Sequence, residues 1–121
     1  MIIPTHHLGQ AGEGIAASYL TTQGYAVRER NVRFGRYEID LIADDPTKKM
    51  LVFIEVKTRR SHSESYPIAA AFTRRKRSAL YHGLYRWIAR HSYDGPFRID
   101  LISVHRNRVI DHHQDVGGEV L

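Results

Sequence analysis

Two stretches decide the fold: YEIDLIAD at residues 37–44 and LVFIEVKT at residues 51–58, joined by the polar DPTKKM at 45–50. Both stretches read as strands, and the joining segment has turn chemistry, so the pair predicts a β-hairpin. The second strand is apolar on both faces, as a strand inside a sheet should be. Its polar residues, Glu55 and Lys57, lie only at its end. If Asp44 faces Leu51 across the turn, Asp40 stands opposite Glu55 and Glu38 opposite Lys57. Side chains alternate along a strand, so all four then share one face. A slip of two residues keeps them together, whereas a slip of one separates them.

Facing carboxylates about 5 Å apart at Cβ repel each other, and burial sharpens the repulsion. Something positive has to compensate. Lys57 is one candidate and a divalent cation is the better one. Asp40 sits mid-strand among apolar neighbours, a poor place for an unpaired acid. Phosphodiester hydrolysis needs a hard cation that polarises a phosphoryl oxygen and activates water. Magnesium takes one or two carboxylates and keeps its other positions for water and phosphate. Asp40 and Glu55 supply that minimum. Lys57, two residues beyond the glutamate, can hold the attacking water or stabilise charge on the phosphate.

Outward from the hairpin, residues 9–23 carry a helical pattern in which Ile15, Ala16, Tyr19 and Leu20 recur, with Gly24 at the C-cap. Residues 25–32 alternate and predict a strand near a sheet edge. Residues 59–71 read as a loop. A second helix is predicted over 73–91, with Leu80, Leu84, Trp87 and Ile88 as its apolar stripe. Strands follow at 97–104 and 108–112. Residues 1–8 and 113–121 are expected to be loose ends of a single domain, 1–121, with its core at about 9–112. The order helix, three strands, helix, two strands predicts an α/β fold. The second helix is long enough for a crossover to a parallel fourth strand, giving a mixed sheet with helices packed on its faces.

The chain has 121 residues, enough for one domain with its own core. It has no cysteine, which excludes disulfides and thiolate metal sites. No signal peptide and no apolar run of membrane-spanning length is visible, so the expected location is cytoplasmic. Net charge is +5 and the isoelectric point near 9.7. Of 18 basic residues 14 are arginine, whose planar fork suits phosphate. They cluster at 28–36, at Arg59 and Arg60, and at Arg74, Arg75, Lys76 and Arg77. A polyanionic partner and a solvated basic surface explain the charge equally well.

Other residues carry two readings each. Glu38 is a further ligand or the ion-pair partner of Lys57, and a secondary role is expected. Arg59 and Arg60 grip a flanking phosphate or form a plain basic loop. Arg74, Arg75 and Lys76 open the second helix, where a helix N-terminus already favours anions. The adjacent pairs His6–His7 and His112–His113 cannot converge on one face and are expected at the surface. Tyr81, Tyr85 and Trp87 could stack on bases, but at helical spacing they are expected in the core.

The segments EIDLIA (38–43) and LVFIEVKTR (51–59) resemble the central motif of the PD-(D/E)XK nuclease superfamily. More closely, the chain resembles the small bacterial YraN-like family of predicted endonucleases. GQAGEGIAASYLTTQGY (9–25), ERNVR (29–33), AAFTRRKRSAL (70–80) and FRIDLISV (97–104) fall in register with that family. The resemblance implies a restriction-endonuclease-like α-β-β-β-α-β core, here with a short extra strand. It implies metal binding by Asp40 and Glu55 with the main-chain carbonyl of Val56, and Lys57 as the catalytic lysine. It also tips Glu13 towards the site. On a helical wheel Glu13 lies about 20° from Leu20, and otherwise it would be a first-turn acid favoured by the helix dipole. Among the basic cluster, the analogy selects Lys76. One departure is visible: Tyr37 stands where the family usually has glycine.

The resulting expectation is a Mg²⁺- or Mn²⁺-dependent endonuclease acting on nucleic acid, DNA first, with repair or recombination as the analogy the superfamily offers. Asp40, Glu55, Lys57 and Glu13 would be its catalytic residues, and Arg59, Arg60, Arg74, Arg75 and Lys76 its nucleic-acid contacts. The alternative is a non-catalytic nucleic-acid-binding protein that retains the nuclease fold. A scaffold that meets another protein through its sheet edge or basic face ranks third. No membrane partner is expected, and a homodimer is left open.

Overall fold

A computed structural model describes residues 5–59 and 72–118, with side chains from Ala11 onward. The described elements are α1 (Thr5–Thr22), β1 (Ala26–Phe34), β2 (Tyr37–Asp45), β3 (Met50–Thr58), α2 (Arg74–His91), β4 (Phe97–His105) and β5 (Arg108–His113). They form a sheet in the order β1-β2-β3-β4-β5. All neighbours are antiparallel except β3 and β4, which run parallel. That parallel pair is the expected crossover, with α2 inside the connection. β1 lies at the sheet edge, as its alternating sequence predicted.

The turns follow from local chemistry. Gly35 holds φ at +61° in the two-residue turn between β1 and β2, where Phe34 pairs with Tyr37. In the next turn Asp45 Oδ1 accepts from the Thr47 and Lys48 amides at 3.0 and 3.2 Å, a side chain imitating a backbone turn. Gly24, φ +93°, follows the end of α1, and its amide bonds back to the Thr21 carbonyl. Thr73 caps α2 by accepting from the Lys76 amide.

The helices cover opposite faces of the sheet. Ala16, Ala17 and Leu20 of α1 pack on Leu41, Ala43, Val52, Ile54, Ile102 and Val104. Leu80, Leu84 and Trp87 of α2 pack on Ile39, Ile42, Leu51, Phe53, Ile99 and Leu101. β3 contributes to both cores, which is why it is apolar on both faces. Tyr81 is half-buried against the α2 core. Tyr85 departs from expectation: it is 55% exposed on the outer face of α2, because a helical stripe covers only part of the circumference. α1 also begins at Thr5, inside the stretch expected to be loose, and β1 and β5 extend two residues and one residue beyond their predicted ends.

Candidate active site

Asp44 faces Leu51, and the ladder between β2 and β3 continues to Leu41 opposite Ile54, the register the hairpin predicted. Beyond that pair main-chain pairing stops. The Val56 amide donates instead to Asp40 Oδ2 at 2.8 Å. Asp40 therefore sits where the two strands fork, its carboxylate standing in for a main-chain acceptor. The N–H and C=O of a strand residue point to the same edge, so the Val56 carbonyl also faces β2.

Glu13 reaches this fork from α1. It is buried, 9% exposed, and its carboxyl group interacts with that of Asp40 and with Asn31 on β1. Asn31 interrupts β1 with φ at +53°, a conformation asparagine tolerates better than most residues. Gly12, one residue before Glu13, lets α1 press against the end of β3. A β-carbon there would stand 2.1 Å from Thr58 Oγ1. Both residues escaped the sequence reading, although a glycine inside a helix and an asparagine inside an alternating strand were available signals.

Asp40 is also within hydrogen-bond reach of Glu55, so Glu13, Asp40 and Glu55 form a run of three carboxyl groups. Burial, reinforced by Asp40, pushes Glu55 up to about 8 against the pull of Lys76 and Lys57. Burial and Asp40 push Glu13 up to about 7. Asp40 itself is raised, chiefly by burial, with the Val56 amide working the other way. Lys57 is lowered by burial and by the neighbouring charge of Lys76. Lys76, which opens α2 beside Arg74 and Arg75, thus meets the hairpin at Glu55 and Lys57.

This donor set fits a hard, oxygen-liganded cation. Its acids are raised chiefly by burial and, for Glu13 and Glu55, by Asp40, more than the nearby Arg30, Lys57 and Lys76 offset, and Glu13 Oε2 is buried with no hydrogen-bond partner. Among the described residues no three His, Cys, Asp or Glu side chains form a ready-made metal cage. An ion that keeps several waters requires only one or two carboxylates.

Two expectations need correction. Glu38 does not face Lys57; β1 pairs it with Arg33, and the two side chains form an exposed ion pair at 3.1 Å. The hairpin argument considered only β3, whereas β2 has a neighbour on each side. The Glu38 charge still adds to the field that raises Asp40. His112 is not a surface residue: its ring bonds Asp100 at 2.8 Å and Tyr19 at 2.9 Å. It joins a buried network in which Arg98 binds Asp45 and Asp100, each at 2.9 Å. His113 follows on β5 and is half-buried. Arg59 is described and continues β3 alongside β4, its amide donating to the Val104 carbonyl at 2.7 Å. Arg60 lies outside the described residues.

A mixed sheet between two helices, with an Asp–ExK cluster where its hairpin forks, has the restriction-endonuclease-like architecture that the motif blocks implied. Over residues 12–104 the chain matches the family described as Uncharacterised protein family UPF0102, and it belongs to that family, the YraN-like one. A UPF0102 protein of Chlorobaculum parvum is 44% identical over 100 residues, 80% of this chain and 74% of that protein. One of Beutenbergia cavernae is 38% identical over 115 residues, 91% and 95% of the two chains. Among solved structures, that of Pyrococcus furiosus SfsA in complex with Ca²⁺ is similar with a TM-score of 0.40 and 17% identity, over 98% of this chain and 67% of that one. No helix among the described residues is long and apolar enough to cross a membrane.

Proposed function

We propose that this protein is a metal-dependent nuclease that hydrolyses phosphodiester bonds in nucleic acid, DNA being the expected substrate. The observation that carries the reading is the run Glu13–Asp40–Glu55, three buried or half-buried carboxyl groups raised together, with two lysines at its end. A structural role gives no reason to bury three acids side by side. Asp40 and Glu55 would hold Mg²⁺ or Mn²⁺, with the Val56 carbonyl beside them and Glu13 supporting from α1. When bound, the ion would polarise a phosphoryl oxygen and make a bound water more acidic.

The chain's own residues carry the rest. Lys57, depressed by burial and by Lys76, gives up a proton more readily than a surface lysine. It is suited to orienting the attacking water and to taking part in its proton transfer. Lys76 brings a second positive charge to oppose the charge that grows on the phosphate. Arg74 and Arg75 extend that field along α2.

The test is cleavage of linear, single-stranded, flapped and four-way DNA with Mn²⁺ or Mg²⁺, with Asp40→Asn protein prepared in parallel. Cutting by wild type that disappears with EDTA and with Asp40→Asn is the expected result. Salt-sensitive binding without cutting of any substrate would replace this reading with a non-catalytic nucleic-acid binder.

A further inference from the structure

The outer face of α2 and the β1–β2 turn share an arginine-lined groove that the acid centre does not explain. One part is lined by Arg33, Arg36, Arg86 and Arg90 around Phe34 and Tyr37. The other is lined by Arg36, Arg74, Arg75 and His82 around the same Tyr37. The two parts meet at Arg36 and Tyr37, and no carboxylate lines either one. Lys76, next in the chain after Arg75, stands beside Glu55 and Lys57. The groove therefore begins one residue along α2 from Lys76.

Its arginines are held in place. Arg36 and Arg86 lie over the Tyr37 ring at 5.2 and 4.9 Å from its centroid. The Arg36 Nη2 also donates to the Tyr37 hydroxyl at 3.1 Å. His82 stacks on Tyr37 with ring centroids 5.1 Å apart and planes 19° from parallel. Arg90 lies over Phe34 at 5.1 Å. Arg86 Nη1 also donates to the His82 carbonyl at 2.9 Å, and Arg33 is paired with Glu38 at 3.1 Å; a guanidinium oriented in this way offers its remaining N–H groups to phosphate oxygens with fewer rotamers to lose on binding. His82, Arg86 and Arg90 recur every four residues, so they line one side of α2.

We infer that this groove is a phosphate track for nucleic acid, with Tyr37 and Phe34 as the posts that orient its arginines. The inference rests on the nucleic-acid reading above and extends it. At 1.5 Å per residue, Arg75 to Arg90 spans about 22 Å, roughly the length of six base pairs. Contact is therefore to the backbone over several phosphates outside the acid centre. Tyr37 acts as an anchoring side chain.

The experiment measures binding of a labelled duplex DNA oligonucleotide across a salt series, in EDTA, so that cleavage plays no part. The double variant Arg86→Ala and Arg90→Ala changes two exposed helix positions to the best helix former, so the fold is retained. It should bind about tenfold more weakly, with a salt slope smaller by about two. Tyr37→Leu keeps apolar volume over Gly83 but removes the post, and should weaken binding several-fold. Tyr37→Phe keeps the ring and should stay close to wild type. Unchanged affinity and slope in the double variant, or equal loss in Tyr37→Leu and Tyr37→Phe, would overturn the track. Failure of the nuclease reading shows separately, as absence of metal-dependent cutting while these binding differences persist.

Discussion

Gly12 of α1 and Thr58 at the end of β3 approach so closely that a β-carbon on the glycine would stand 2.1 Å from the threonine hydroxyl oxygen. Gly12 precedes Glu13, so this contact sets how near Glu13 comes to Asp40. Gly12→Ala would gain up to about 1 kcal/mol of helix propensity, but it must push a well-packed helix aside, which costs about 1–3 kcal/mol. The clash wins, and a net loss of stability is expected. Removing the hydroxyl in Gly12→Ala/Thr58→Ala leaves Cβ as the neighbour, at 3.4 Å, and should recover most of it. Denaturation midpoints of both variants check this; equal loss in single and double variants would refute the steric account.

Without metal, the acid run makes the protein less stable as pH rises. Glu55 titrates near 8 when folded and near 4.5 when unfolded. Between those values the folded chain holds the extra proton, so stability falls with rising pH and the full penalty stands above 8. Asp40→Asn keeps an oxygen for the Val56 amide and removes one charge. In EDTA at pH 8 it should match or exceed wild type by roughly 1–2 kcal/mol, a few degrees of melting temperature. Gross unfolding of Asp40→Asn would contradict the site.

Metal binding should expel protons. At pH 7 Glu55 and Glu13 are raised enough to be partly or mostly protonated, while a cation demands their charged forms. Mn²⁺ titrations in two buffers of different ionisation enthalpy should differ by the heat of on the order of one proton released. Affinity should rise from pH 6 towards 8 and then level. Glu55→Gln should shrink the buffer difference, and identical heats in both buffers would argue against ligation by these acids.

The network beside the β2–β3 turn should respond in the opposite sense. Burial alone would raise Asp100, but His112, Arg98 and the Asp115 amide outweigh it and hold it below its ordinary value. Its contribution is present above about pH 3.8 and is lost as pH falls through the lower folded value. Asp100→Asn leaves the buried Arg98 guanidinium short of one partner and should cost about 3–5 kcal/mol. Urea unfolding at pH 7 measures it; a loss below about 1 kcal/mol would show that the network is not what fastens β4.

Much of this architecture was legible in the chain itself. The turn residues at 45–50 set the pairing of Asp44 with Leu51, and that pairing carried Asp40 towards Glu55 and Val56. Gly24 marked the end of the first helix through local chemistry, and the helical pattern placed the start of the second near residue 73. What escaped depended on tertiary neighbours that no single element shows. His112 is buried because Tyr19, 93 positions away, and Asp100 close its two ring nitrogens. Glu38 belongs to Arg33 because β2 lies between two strands, and a hairpin read alone has only one. Tyr85 lies one step round the helix from Leu84, where residue type does not reveal the limit of burial.

The Arg98 network ties the sheet together at its turn end, far along the hairpin from the fork that holds the three carboxyl groups. One end of the same hairpin secures the shape, and the other carries repulsion that nothing in folding requires. If the fork is the active centre proposed above, a single change there would silence the chemistry and leave the fold intact. On the nuclease reading, a copy that keeps this frame but has lost a fork acid would melt no lower than wild type, so folding assays would rank it as sound and a cleavage assay would not.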